Sequence, residues 1–113
     1  MPEHYSEERL REAILECREM AQPDSALEYS SEWLGPLEDC GYCGEKLTPE
    51  LEFFADSEIN PGDGIWGLLC PVCLTYGGNE MIWGKGQLYQ YQTKSNSWVL
   101  VAGFMPKHLQ DEG

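Results

Sequence analysis

Four of the five cysteines fall into two pairs with the same internal gap. Cys40 and Cys43 stand in DCGYCGEKL, and Cys70 and Cys73 in LLCPVCLTY, giving C-x2-C, 26 residues, C-x2-C. Three chemistries use such a pair: a redox dithiol, a disulfide, and one half of a metal site. A redox CxxC belongs at the opening of a helix after a buried strand, whereas CGYC follows GPLED and is answered by a second pair. The metal reading accounts for both pairs together. Zinc takes four ligands in a tetrahedron at about 2.3 Å from sulfur, and each C-x2-C turn supplies two of them from one tight bend. Gly44, directly after Cys43, permits the left-handed backbone that aims amides at thiolates, and Pro71 stiffens the second turn. Iron in an electron-transfer site is the competing ion.

Little else in the chain points to catalysis. The two histidines, His4 and His108, lie near the two ends, and neither reads as a general base. No phosphate-binding loop, dinucleotide-binding glycine fingerprint, G-x-S-x-G elbow or H-E-x-x-H helix is present. A site closed by four cysteines leaves no position for substrate or water, so a non-enzyme is expected. Cys17 sits on an apolar stripe with Leu10, Ala13 and Ile14 and reads as a small buried hydrophobe.

The elements that must position these cysteines are legible in outline. Residues 1–39 read as an acidic helical segment: Ser6 caps a helix bearing Leu10, Ala13, Ile14, Cys17 and Ala21 on one face, and Pro23 ends it. A second, shorter helix is expected from Asp24 or Ser25 through Trp33, stopped by Gly35 and Pro36. Residues 40–78 form the four-cysteine unit, with LEFFA and IWGLL as strands joined by DSEINPGDG. Residues 79–105 read as a three-stranded antiparallel meander of NEMIW, QLYQYQT and WVLVAGF, and 106–113 as a tail. The expected class is α+β, a small metal-stabilised single domain over 1–113.

The paired knuckles CGYCG and CPVC resemble those of the zinc-ribbon families and, more loosely, rubredoxin, over Cys40 to Cys73. The ribbon resemblance implies one zinc per chain held by Cys40, Cys43, Cys70 and Cys73, with a small sheet built around it. It implies no single function. The sequence departs from the ribbon pattern at Leu74, where a second glycine is usual, and from rubredoxin in length and in the placement of Trp66 four residues before Cys70.

Charge supplies the functional expectation. The chain of 113 residues holds 20 acidic and 7 basic side chains, a formal net charge of -13. The excess lies in the first two parts, with net charges of -8 over 1–39 and -5 over 40–73, and none over 74–113. Direct nucleic-acid binding is disfavoured. No signal-peptide-like or bilayer-spanning run is seen, so a cytoplasmic protein without membrane attachment is expected. Glu8, Glu12, Glu16 and Glu19 step along the first helix as candidate partner-binding carboxylates, and Tyr89, Tyr91 and Trp98 are candidate interface aromatics. The expected role is a regulatory or inhibitory protein-binding module that docks on a basic surface of a larger nucleic-acid-handling protein. Such a module could mimic nucleic acid, as small acidic phage and mobile-element inhibitors do. A rubredoxin-like electron carrier and an accessory subunit of a larger enzyme are the alternatives.

Overall fold

The computed structural model describes residues 6–22, 31–60, 62 and 64–105. His4, Pro23, the start of the expected second helix, His108 and the tail 106–113 lie outside the described residues.

Helix α1 spans Glu7–Met20, and its start follows from its sequence. The Ser6 side chain accepts a hydrogen bond from the Arg9 amide at 3.0 Å, and Glu7 and Glu8 face the positive end of the helix dipole. Ala13 and Cys17 are buried, with Leu10, Ile14 and Met20 partly buried beside them. Past the helix, the Gln22 amide donates to the Val101 carbonyl at 2.7 Å and ties the chain to the sheet.

Four antiparallel strands make one sheet in the order β2-β1-β3-β4: β1 is Phe53–Glu58, β2 Trp66–Leu69, β3 Gly86–Gln92 and β4 Ser97–Ala102. Alternation sorts the side chains of β1. Phe53, Ala55 and Ser57 lie on one face with Leu69 and Leu88; Phe54 and Asp56 lie on the other with Leu68 and Tyr89. A bulge between Leu88 and Tyr89 shifts the register against β4. Helix α2, Pro71–Tyr76, packs on β1, and α1 packs on α2. Asn79, just past α2, donates to the Ser57 hydroxyl and so places the helices on the Ser57 face.

The opposite face carries an aromatic cluster. Phe54 and Tyr89 stack at 5.1 Å, while Trp33 and Trp98 meet Phe54 edge-on at 5.4 and 5.0 Å. Trp33 reaches the cluster from a strap of residues 31–38 that crosses this face. The chain is therefore α+β, with helices, sheet and strap stacked in that order, and the two pairs of cysteines on either side of the β1-β2 hairpin in sequence.

Three expectations change. Residues 31–33, assigned above to a second helix, are extended: Glu32 bridges Val99, the Trp33 amide donates to Trp98 and the Leu100 amide to Ser31. Pairing with the edge of β4 outweighs local helix propensity there. NEMIW is not a strand. Both sides of β1 are already taken by β2 and β3, the Asn79 amide group donates to the Glu58 carbonyl at 2.6 Å, and residues 82–86 turn into β3. The expected separate meander is thus a β3-β4 hairpin continuous with the cysteine-bearing hairpin. The CPVCLTY run, read above as a Pro-stiffened turn that departs from the ribbon pattern at Leu74, opens α2.

Candidate metal centre

The first cysteine pair is shaped by its glycines. The Gly44 amide donates to the Cys40 carbonyl at 2.9 Å, closing the turn, and Gly44 adopts φ +80, a conformation that side-chain-bearing residues rarely take. Gly41 donates from its amide to the Leu68 carbonyl at 2.7 Å, which fastens the turn to β2. A Cβ on Gly41 would stand 2.8 Å from the Ile59 Cδ1, and one on Gly67 2.9 Å from the same atom. Ile59 therefore fills the space that both glycines leave, locking turn and hairpin together.

The second pair is built differently. Cys70 is the extended residue that caps α2, and Cys73 lies in the helix's first turn. Pro71 has no N–H to satisfy and its ring fixes φ near the helical value, so it suits the first helical position. The Leu74 amide donates to the Cys70 carbonyl at 3.0 Å, and the Leu74 side chain is fully buried. That explains the missing glycine after Cys73. The chain continues as a helix at this point, and a left-handed residue would break it.

The four sulfurs all lie within 4.8 Å of one another, with Cys43 and Cys70 at 3.8 Å. Sulfurs about 2.3 Å from a shared tetrahedral centre would be separated by about 3.8 Å, so the cluster has the dimensions of a four-thiolate metal shell. Cys40, Cys70 and Cys73 are buried and Cys43 is half-buried. All five cysteines are free thiols. Electrostatics tell the same story. Hydrogen bonds from Cys70 and then Cys73 pull the Cys40 thiol down. The bond to Cys40 in turn pushes Cys70 up to about 12, and bonds to Cys40 and then Cys70 push Cys73 up, so the Cys40 thiolate is stabilised at the expense of Cys70 and Cys73. A divalent cation removes that conflict by favouring ionisation of all four. Zinc and iron both suit such a tetrahedral all-sulfur shell. Cys17 stands outside the cluster, and burial pushes its thiol up to about 12, so it packs as a neutral side chain.

The other candidate residues are not gathered into one site. Glu8, Glu12, Glu16 and Glu19 are exposed along α1. Two of them have a cation beside them, Arg9 lying 3.8 Å from Glu12 and 3.7 Å from Glu16. Arg18 is taken by Glu52, whose carboxylate it meets at 2.6 and 2.9 Å, and this bond followed by burial and the Gln90 amide sets the balance that holds Glu52 below the usual carboxylate range. Tyr89 is only 8% exposed and belongs to the aromatic cluster, so it has no free surface for a partner. Tyr91 and Trp98 are half-buried, 5.2 Å apart, with the Tyr91 hydroxyl bonded to Asn96 at 2.8 Å. The large apolar side chains that do reach solvent are others, among them Leu34, Tyr42, Ile65, Trp66 and Tyr76. Their exposure was hidden in the sequence because Leu34 and Trp66 sit in short apolar runs that pattern reading assigns to the core.

No helix among the described residues is long and apolar enough to cross a membrane. Comparisons with protein-family models, with curated proteins and with solved structures give no match.

Proposed function

We propose that this chain is a non-catalytic zinc-binding module of regulatory or inhibitory kind, which engages a basic surface on a larger nucleic-acid-handling protein. The observation that carries this reading is the closed sulfur shell. Four cysteine side chains surround one point, with three of them buried, and such a shell offers an ion no vacant position at which substrate or water could be activated. The ion then serves the fold. The solvent-facing surface is left to do the work, and a net charge of -13 draws polycationic partners while repelling nucleic acid itself. Among folds with a metal shell, the ribbon-like reading is supported by the Cys40–Gly44 turn, while the helical second pair marks a variant of it.

Metal analysis tests the first half. One zinc per chain and a colourless protein support a structural ion. One iron with visible charge-transfer bands would transfer the site to the electron-carrier reading, which the half-exposure of Cys43 favours, since electrons need a short path to the surface. Competition tests the second half. The purified chain should displace DNA or RNA from the partner it captures, with salt weakening the complex. A partner that holds its nucleic acid unchanged at saturating chain would overturn the inhibitory reading.

A further inference from the structure

Between the strap and β2 lies a groove of about 350 Å³, lined by Trp33, Leu34, Pro36, Glu38, Gly67 and Leu68. Its size is at the small end for ligand pockets, which run roughly from 300 to 1,000 Å³, so it suits one or two side chains better than a cofactor. Exposed apolar side chains border it. Leu34 is 85% exposed, and Trp66, two residues from Leu68 and on the same face of β2, is 44% exposed.

Two carboxylates flank this apolar floor. Glu38 is on the strap wall, and Asp56 is the direct cross-strand neighbour of Leu68. Asp56 is half-buried, and burial holds its carboxyl above the usual range, so a cation brought to it would relieve an existing penalty. Carboxylates beside an exposed leucine and an indole match one kind of group. Lysine and arginine lay an aliphatic stem along apolar surface while the cationic head reaches a carboxylate, and a guanidinium also packs on the face of a tryptophan.

We infer that this groove is the docking site for lysine or arginine side chains of a basic polypeptide segment. The inference rests on the basic-partner reading above and moves the point of recognition away from α1. On α1 the Glu12 and Glu16 carboxylates already have Arg9 beside them, and Leu15 is the only large apolar side chain of that helix marked by strong exposure among the described residues. The mode of binding follows from the sheet. The Leu68 carbonyl on the outer edge of β2 is occupied by the Gly41 amide, and the edge of β4 is occupied by residues 31–33, so the segment is read through its side chains rather than by adding a strand.

The probe is a capped hexa-arginine peptide, titrated by calorimetry at low salt into the metal-loaded full chain and into two variants of equal charge change. Glu38→Gln with Asp56→Asn alters the groove; Glu8→Gln with Glu12→Gln alters α1. The groove variant should bind about tenfold more weakly, and the α1 variant within about threefold of the parent. Leu34→Ser, a change at an exposed position that leaves the fold intact, should weaken binding as well, with charge unaltered. Equal losses in the two charge variants, with no effect of Leu34→Ser, would overturn the groove and leave the basic-partner reading standing on diffuse attraction. No binding of hexa-arginine to the parent chain would remove both.

Discussion

Replacing Leu74 by glycine separates the helical second cysteine pair from a ribbon-type knuckle. In a ribbon, the residue after the second cysteine turns left-handed, and glycine there is neutral or helpful. Here Leu74 lies in α2, is fully buried, and receives the Asn79 amide on its carbonyl at 3.1 Å. Truncating a buried leucine to alanine costs about 3–5 kcal/mol, and glycine in place of alanine within a helix adds about 1 kcal/mol. The sum, about 4–6 kcal/mol, is a large share of the roughly 5–15 kcal/mol that holds a domain together. Urea unfolding of the metal-loaded protein, followed by far-UV circular dichroism, reads this directly, with Leu74→Ala recovering about 1 kcal/mol relative to glycine. Bound metal, measured on the same samples, should fall with the fold. A Leu74→Gly protein within about 1 kcal/mol of the parent and with full metal would refute the helical assignment of Cys73 and the account of the missing glycine.

Metal removal should be felt as a stability change. A ligand that binds only the folded chain at a thousand times its dissociation constant adds about 4 kcal/mol, so stripping it should lower the melting temperature by about 16 °C at about 4 °C per kcal/mol; a melting temperature indifferent to chelator would contradict the site. Gly103→Ala should destabilise by about 2 kcal/mol or more in thermal melts, because Gly103 has φ +82 and a Cβ there runs into the Gly86 carbonyl between β3 and β4. Asp56 carries a pH signature of a definite sign. Its folded carboxyl titrates above the unfolded value, so its protonated form favours folding at low pH, and that advantage is lost as pH rises through the folded value. Asp56→Asn should therefore be more stable than the parent at pH 7, and the gap between them should close in acid; a variant less stable at neutral pH would show that the carboxylate has a partner worth more than its desolvation.

The cysteines were the most legible feature because ligand type and spacing are written locally. So was α1, where Ser6, the early glutamates and the buried Ala13–Cys17 spacing all agree, and so was the β3-β4 hairpin, whose alternation survives even its bulge. What was not legible depends on neighbours distant in sequence. Residues 31–33 follow a stretch whose sequence reads as helical but find β4 some 65 positions on, and no periodicity encodes that choice. Helix α2 is too short for a 3.6-residue repeat to emerge from LLCPVCLTY, although Pro71 at its first position and the Gly77-Gly78 pair at its end are the punctuation that could have revealed it. Tyr89 and Trp33 pack face and edge on Phe54 and on each other, a three-ring arrangement that alternation alone cannot distinguish from exposed aromatics.

The position of β1 between β2 and β3 has a kinetic consequence. All four sulfur ligands, the β1-β2 hairpin and α2 fall within residues 40–76, so during synthesis this stretch can close on an ion before β3 leaves the ribosome. One edge of β1 then waits for a strand made later, exposing Phe54 until Tyr89 arrives to cover it. Assembly would thus proceed in two steps, a local one nucleated by sulfur and metal and a later one that zips β3 and β4 onto a finished template. Amides of β3 and β4 should exchange with solvent deuterium through a lower-energy opening than those of β1 and β2, whose open end lies beside the four sulfurs.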